Sequence, residues 1–145
     1  MSRNNDFFRV VLPWPDWNIS PNSRTHYRKK AVLTKEHRQA AYYFALEAMG
    51  ASNWVDADRV FSVWIFCDPD NRHRDTGNIR AAMKAYQDGV CDALKIDDFV
   101  IKDEHLHRHE IKEGGEVELR LYEDYRSWLD DVVVLSSVYD ERRIG

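Results

Sequence analysis

Apolar residues recur along the chain with two periods, and each period predicts a different kind of element. Short runs rich in β-branched and aromatic residues, or alternating with polar ones, predict strands at residues 7–12, 59–67, 99–112 and 116–122. Apolar residues spaced by three and four predict helices at about residues 34–49 and 77–94. The order of elements is therefore strand, helix, strand, helix, strand, strand.

Local signals mark the ends of these elements. Thr34 is the expected N-cap of the first helix and Gly50 its expected stop. The second helix would extend over roughly 27 Å at 1.5 Å per residue, unless it breaks near Gly89, a residue that weakens helices. The segment Glu113-Gly114-Gly115 predicts a hairpin turn between the last two strands.

This order of elements predicts an α/β fold of the mixed α+β type, with the topology βαβαββ, in which helices pack on a single layer of mixed sheet. A chain of 145 residues suits one domain, which we expect to occupy residues 1–122. Residues 123–145 contain Trp128 and the apolar run 132–135. We therefore expect a C-terminal extension packed on the domain or on a dimer partner.

Composition narrows the class of protein. Apolar residues make up 43% of the chain and aromatic residues 12%, which suffices for a packed core and argues against intrinsic disorder. No segment approaches the roughly 20 consecutive apolar residues of a membrane span, and no secretory signal precedes the first strand. We therefore expect a soluble, intracellular protein. Cys67 and Cys91 lack CxxC spacing and are expected to be reduced core residues.

The distribution of charge favours local contacts with nucleic acid over a basic surface. A net charge of −4 argues against a protein that coats nucleic acid. Cations nevertheless cluster at residues 24–35 and 72–74, and the first cluster contains Tyr27. Interleaved cations and aromatic residues are typical of contacts to phosphates and bases, and a plain solvated loop is the alternative. The candidate DNA-binding residues are Arg24, His26, Arg28, Lys29, Lys30, Arg72, Arg74 and Arg80.

Acidic residues at both ends of the second helix are candidates for a magnesium site. Asp75 precedes the helix, and Asp97 and Asp98 follow it. Mg²⁺ takes oxygen ligands and typically binds one or two carboxylates together with water and substrate phosphates. The two positions can meet within one chain only if the helix is broken or the following loop folds back. Alternatively, Asp75 only caps the helix and the pair only forms a turn.

Two further patterns admit both a functional and a structural interpretation. Lys84 and Asp88 lie four residues apart on one helix face, where they either face a ligand or form a solvated ion pair. His105, His107 and His109 alternate along the third strand and share one face, which makes a Zn²⁺ site geometrically possible. No fourth ligand is marked, so structural or exposed histidines are the alternative.

Taken together, these motifs resemble those of the RusA family of Holliday junction resolvases, particularly its phage and prophage branch. The family's R-D-x-D-N, L-K-x-x-x-D-G-L and D-D motifs are similar to Arg72-His73-Arg74-Asp75-Thr76-Gly77-Asn78, then Lys84 and Asp88-Gly89, then Asp97-Asp98. Its L-P-x-P and P-N-x-R-x-H-x-R-K segments are similar to Leu12-Pro13-Trp14-Pro15 and to the segment from Pro21 to Lys30. The resemblance covers about residues 8–122 and marks residues 1–122 as a RusA-like nuclease domain.

The resemblance implies a specific activity. It implies a homodimeric endonuclease without a nucleotide cofactor, which uses Mg²⁺, or Mn²⁺ in its place, to hydrolyse paired, symmetric phosphodiester bonds in four-way junction DNA. Such an enzyme serves DNA recombination and repair in the cytoplasm of a bacterial or phage-infected cell. By position, Asp75, Asp98 and, after a shift of about one helical turn, Lys84 correspond to the catalytic residues. Asp75, Asp97 and Asp98 correspond to the metal ligands.

One position departs from the family pattern. Gly77 stands where the family has the second aspartate of its first motif, and glycine supplies no ligand. The chain would then bind its metal weakly unless Asp70, Asp88 or Asp97 substitutes. The alternative function is therefore a protein of the same ancestry that binds branched DNA with reduced or no cleavage.

Overall fold

The computed structural model of the chain describes residues 7–50 and 58–144. The strands are β1 (Phe7–Pro13), β2 (Val60–Cys67), β3 (Ile101–Arg108) and β4 (Glu116–Tyr122). The helices are α1 (Tyr27–Met49), α2 (Thr76–Ala82), α3 (Lys84–Leu94) and α4 (Tyr125–Ile144). The four strands form one mixed sheet with helices packed on it, which confirms the predicted mixed α/β class.

The order of strands in the sheet is β1-β4-β2-β3, with β4 antiparallel to both of its neighbours and β2 parallel to β3. The predicted hairpin between the last two strands is therefore wrong, because β2 lies between them. The connecting segment instead crosses the end of β2, where the His109 amide donates to the Phe66 carbonyl at 2.8 Å and the Lys112 amide donates to the Asp68 carbonyl at 2.9 Å. Gly114 and Gly115, both at positive φ, then turn the chain into β4.

Both faces of the sheet are covered, so all eight residues of β2 are buried. One face packs against α1, α2 and α3 through a core that includes Trp64, Phe66 and Tyr86. The other face packs against α4 through a smaller core around Phe61 and Trp128. The extension after residue 122 is thus a helix that lies on the sheet of its own chain.

A buried polar network links α4 to the sheet. Asp131 on α4 accepts hydrogen bonds from Arg120 at 2.9 Å and from the Tyr122 hydroxyl at 2.6 Å. Arg120 also donates to Glu118 at 2.6 Å, and Arg9 donates to the same carboxylate at 2.8 Å. The charges beneath α4 are therefore paired, as buried charges must be to avoid a large desolvation cost.

The first helix begins at Tyr27, seven residues before the predicted start at about residue 34. His26, not Thr34, is its N-cap, and the His26 Nδ1 accepts a hydrogen bond from the Arg28 amide at 3.2 Å. The first two turns are exposed and carry no apolar stripe, although arginine, lysine and alanine favour helices. The predicted stop is correct: Gly50 follows the helix at a φ of 61°.

The second predicted helix is broken at Met83 and not near Gly89. The Met83 amide donates to the Arg80 carbonyl at 3.0 Å, which tightens the last turn of α2 before α3 begins. Gly89 has a different role, because a Cβ at this position would lie only 2.1 Å from the Arg38 carbonyl oxygen on α1. It is therefore the close contact between α1 and α3 that requires glycine at position 89.

The cysteines behave as predicted for core residues. Cys67 and Cys91 are both buried and carry free thiols. Burial raises the pKa of Cys67 above its ordinary value and that of Cys91 to about 12, so neither thiol ionises readily. Within residues 7–50 and 58–144, the helices are all too short or too polar to cross a bilayer.

Candidate functional site

The segment that precedes α2 is fixed by a buried ion pair. Asp68 follows β2 directly, and its carboxylate accepts hydrogen bonds from Arg108 Nε at 2.9 Å and Arg108 Nη2 at 2.6 Å. Arg108 Nη1 donates to the Arg74 carbonyl and to Thr76 Oγ1, each at 3.0 Å. One guanidinium on β3 therefore sets where α2 begins, and with it the position of Asp75.

Asp75 both caps α2 and forms part of a cavity wall. Its Oδ1 accepts a hydrogen bond from the Gly77 amide at 2.7 Å, which is the capping role expected of aspartate at this position. The residue is exposed, and it lines a cavity of about 600 Å³. The capping interpretation is thus correct, and it leaves the carboxylate beside open space.

We call this space the aromatic cavity. One wall comes from the loop after β1 and consists of Trp14, Pro15, Trp17 and Asn22. The other wall comes from the segment before and within α2 and consists of Pro69, Arg72, His73, Arg74, Asp75 and Asn78. The fold therefore brings together two segments that the motif comparison treated separately. Sequence analysis gave no site role to the side chains of Trp14, Trp17, Asn22 and Asn78. Trp14, Asn22 and Asn78 lie in segments that resemble the family motifs, whereas Trp17 carried no signal.

The first wall of the aromatic cavity is held rigidly. The Tyr86 hydroxyl donates to the Pro13 carbonyl at 2.8 Å. His37 Nε2 accepts from the Asp16 amide at 3.0 Å, while its Nδ1 donates to the Leu33 carbonyl at 2.7 Å, which assigns the neutral tautomer. Burial raises the pKa of Tyr86 well above its ordinary value, so this phenol remains a donor. The loop is therefore anchored to α1 and α3.

A second cluster contains two of the predicted catalytic residues. Lys84 opens α3, and its Nζ lies 2.8 Å from Asp88 and 3.2 Å from Asp98. Hydrogen bonds that Lys84 donates to Asp88 and to Asp98 raise the pKa of Lys84, and hydrogen bonds with the Lys84 ammonium and then Asp97 lower the pKa of Asp98. Lys84 and Asp98 are therefore both charged at neutral pH. Asp97 itself caps the short turn that follows, accepting from the Phe99 amide at 3.3 Å.

The structure does not join Asp75 to Asp98 within one chain. Because β2 and β3 are parallel, α2 and α3 run back across the sheet, so Asp75 lies near the carboxyl ends of these strands and Asp98 nearer their amino ends. Asp88, beside Asp98, follows Asp75 by 13 residues, or up to about 20 Å of helix rise. In the part of the chain that the structure describes, no three His, Cys, Asp or Glu side chains are grouped to hold a metal ion.

The exposed cations of the predicted DNA-binding set lie at the start of α1 and beside the aromatic cavity. Arg24, His26, Arg28, Lys29 and Arg72 are exposed, and Lys30 is half-buried. Cations at a helix N-terminus are unfavourable, because the helix dipole is positive there. An unfavourable local charge pattern is typical of functional sites, and this one would be relieved by a bound anion.

Arg74 and Arg80 differ from the rest of this set. The Arg74 side chain is only 11% exposed and forms ion pairs with Asp68 at 3.3 Å and Asp70 at 3.0 Å. Arg80 pairs with Glu104 at 2.7 Å and lies over the Trp64 ring. Both guanidinium groups are therefore engaged in contacts within the protein.

The three alternating histidines share one face of β3, as predicted. The ring centroids of His105 and His107 are 6.4 Å apart, and those of His107 and His109 are 5.4 Å apart. His107 Nε2 and His109 Nδ1 lie at hydrogen-bond distance, 3.3 Å, and within the described residues no third His, Cys, Asp or Glu side chain is grouped with them to hold a metal ion. Burial lowers the pKa of His105, which therefore favours the neutral form. The rings of His105 and His107 stack and those of His107 and His109 are tilted, an arrangement that structural histidines account for.

Comparison with known proteins adds one relative. No protein-family model matches the chain. A protein of Xylella fastidiosa (strain Temecula1 / ATCC 700964), described as an uncharacterized protein, is 32% identical over 109 residues, which cover 74% of this chain and 71% of that protein.

Proposed function

We propose that this chain, which belongs to the same family as the Xylella fastidiosa protein, is a RusA-like, Mg²⁺-dependent endonuclease that nicks four-way junction DNA. One observation carries the proposal. A carboxylate, Asp75, stands in the wall of a cavity that also presents aromatic and cationic side chains. This combination suits a metal-dependent nuclease, because cations and aromatic rings can hold the nucleic acid while the carboxylate holds the metal.

The acidic residues suit a hard divalent ion. Asp75, Asp97 and Asp98 offer carboxylate oxygens, and the carboxylates of Asp88 and Asp98 already stabilise a cation, the Lys84 ammonium. Bound Mg²⁺ would polarise the scissile phosphate and lower the pKa of an attacking water. The chain's own part is to hold this ion through Asp75 and Asp98, while Lys84 offsets negative charge on the phosphate.

We further propose that the two acidic positions act together in a homodimer, across the interface between subunits. The break at Met83 does not bring Asp75 to Asp98 in one chain, so a second copy is the remaining way to combine them. A mixture of Asp75→Asn and Asp98→Asn proteins tests this arrangement. If the site is shared, each mixed dimer retains one intact site and nicks one strand, whereas sites confined to single chains stay inactive in every combination.

The experiment that tests the activity uses a synthetic four-way junction, with a linear duplex of the same sequence as its control. We expect paired nicks in the junction with Mg²⁺ or Mn²⁺, no nicks with EDTA, and no nicks in the duplex. Junction binding without any nicks, at every metal concentration tested, would reject the endonuclease.

A second candidate function is binding of branched DNA without efficient cleavage. The observation that favours it is Gly77, which is exposed at the start of α2 next to Asp75 and supplies no ligand. The same assay separates the two functions, because a binding protein shifts the junction in a gel and leaves its strands intact.

A further inference from the structure

We infer that the aromatic cavity binds a single unpaired nucleotide of a DNA strand, with the base against Trp17 and the adjoining phosphate near Arg72 and His73. The location of this pocket beside Asp75 gives it a role in the proposed endonuclease. The binding itself does not depend on cleavage. An unpaired nucleotide is the substrate feature that this pocket would select.

The stacking surface is Trp17. Its side chain lines the cavity and is 37% exposed. Its place in the loop is set by Asp16, whose Oδ1 accepts a hydrogen bond from the Asn18 amide at 2.9 Å, and the Asp16 amide is itself bound by His37. Aromatic side chains that are exposed and fixed in this way are the usual platforms for unpaired bases, because every base has a π-face.

Trp14 forms the inner wall of the aromatic cavity, so the ring of Trp17 is the one available to a ligand. A Cβ at Gly115 would lie 2.7 Å from Trp14 Cβ, so the indole is pressed against the turn before β4. The guanidinium of Arg74 covers the Trp14 ring at 5.6 Å from its centroid. With Trp14 enclosed on two sides, the exposed ring of Trp17 is the surface on which a base can stack.

Polar groups at the cavity can read the edge of a base. Asn22 and Asn78 line it from opposite walls, and among the described residues neither carboxamide has a hydrogen-bond partner. A carboxamide offers one acceptor and two donors, which matches the edges of nucleobases. The two carboxamides and the imidazole of His73 line the same cavity, so it presents several hydrogen-bonding groups to one ligand, which an ordinary solvated crevice does not.

Size and charge favour one nucleotide of a strand over a free nucleotide or a duplex. A volume of about 600 Å³ falls within the 300 to 1,000 Å³ typical of sites for single small ligands, and a concave pocket cannot admit a duplex. The carboxylate of Asp75 in the wall repels a bound phosphate. This repulsion is stronger for the terminal phosphate of a free nucleotide, which carries nearly two negative charges, than for a phosphodiester, which carries one. Arg28 and Lys29, outside the cavity, are exposed for neighbouring phosphates.

The test is a binding measurement in EDTA, so that no DNA is cut. Fluorescence anisotropy compares a duplex that carries one unpaired thymidine with the same duplex carrying an abasic residue at that position. We expect the wild-type protein to bind the unpaired base about tenfold more tightly, a gain typical of base stacking on an aromatic side chain. Trp17→Ala should reduce the ratio to about one, and Trp17→Phe should retain most of it.

A matched control and two contrary outcomes complete the test. Phe44→Ala removes an aromatic side chain of similar exposure, 42%, outside the cavity, so the ratio should not change. A ratio of one in the wild-type protein would overturn the inference even if junctions are cleaved. Conversely, a tenfold ratio of affinities in a protein that does not nick junctions in the cleavage assay would reject the proposed endonuclease and support nucleotide binding in the cavity. If the protein binds thymidine 5′-monophosphate saturably but binds the two duplexes with equal affinity, the cavity is a site for free nucleotides instead.

Discussion

A Cβ at Gly77 would lie 3.3 Å from Oδ1 of Asp75, so any side chain at position 77 would stand directly beside the carboxylate that caps α2. The contact is with the flexible end of a side chain, and Gly77 is exposed and does not have a positive φ. A substitution here therefore changes the chemistry of the site with little strain on the fold.

Gly77→Asp should make the protein a better nuclease. The new carboxylate lies in the first turn of α2, where negative charge is favourable, and it adds a metal ligand beside Asp75. We expect the Mg²⁺ concentration for half-maximal nicking to fall by about tenfold, as measured by a metal titration of junction cleavage. Gly77→Asn controls for size without charge. An unchanged titration would mean that another carboxylate already holds the metal.

Asp75→Asn and Asp98→Asn should each abolish nicking and leave junction binding intact or stronger. Each substitution removes a metal ligand and reduces repulsion of DNA phosphates, and asparagine at position 75 still caps α2. Single-turnover cleavage and gel shifts measure the two effects separately. Asp130→Asn on the exposed side of α4 is the control. Equal losses of binding and cleavage in both variants would contradict the assignment.

Replacing Arg28, Lys29 and Lys30 by alanine should weaken junction binding and flatten its salt dependence. Each phosphate contact that is lost lowers the slope of log K against log salt by about 0.9 on duplex DNA. A series of binding isotherms between low and moderate salt gives this slope. The control is a triple variant that removes three exposed cations elsewhere, Arg59→Ala, Lys102→Ala and Arg126→Ala. It should keep the wild-type slope. If the two triple variants behave alike, the start of α1 does not face the DNA.

Arg108→Met should destabilise the protein by about 3 kcal/mol, because it leaves the buried carboxylate of Asp68 without its main partner. Urea denaturation measures the free energy of unfolding. Arg38→Met is the matched control, since it breaks the exposed pair with Asp92 and should cost no more than about 1 kcal/mol. Similar losses in the two variants would show that the Arg108 pair is not a special anchor.

Stability should fall at acidic pH, in part because of Glu118. Burial alone would raise the pKa of Glu118, but hydrogen bonds from Arg9 and Arg120 outweigh it and lower this pKa below its ordinary value of 4.5. The unfolded chain therefore takes up this proton at a higher pH than the folded chain does. The stabilisation is complete above pH 4.5 and is lost as the pH falls through the lower, folded value.

Urea denaturation at several pH values between 7 and 3 measures this loss. Glu118→Gln should be less stable than wild type at pH 7 and should lose less stability below pH 4.5. Glu123→Gln, an exposed substitution, should follow the wild-type curve. Parallel curves for wild type and Glu118→Gln would mean that other carboxylates cause the acid sensitivity.

The strands were predictable because apolar residues follow one another closely in their sequences, whereas the helices were predictable only where one face is buried and carries an apolar stripe. The run 60–67 is apolar except for Ser62, and all eight residues are buried. The start of α1 was missed because its first turns contact solvent, and α4 was missed because the β-branched run 132–134 does not favour a helix. The hairpin prediction failed because strand pairing is a property of the whole sheet and not of the turn at residues 113–115.

The candidate site was predictable only in part. Local motifs drew attention to Asp75, Lys84 and Asp98, because each lies in a short conspicuous segment. The helical spacing predicted the pair of Lys84 with Asp88 but not its contact with Asp98. The aromatic cavity was not predictable, since it requires the loop at residues 14–22 to meet residues 69–78 across the sheet. Distances of this kind depend on strand order, which no local pattern in the chain encodes.

The pairing of β1 with β4 has a consequence for how the protein is made. Phe7 pairs with Tyr122, although more than 100 residues separate them in the chain. During synthesis, β1 leaves the ribosome before β4, its partner strand among the described residues. Contacts between such distant segments slow folding and leave an unpaired apolar strand exposed in the meantime. The pairing of β1 therefore depends on more than 100 later residues, and β1 is a segment that chaperones of nascent extended chains would bind before β4 emerges.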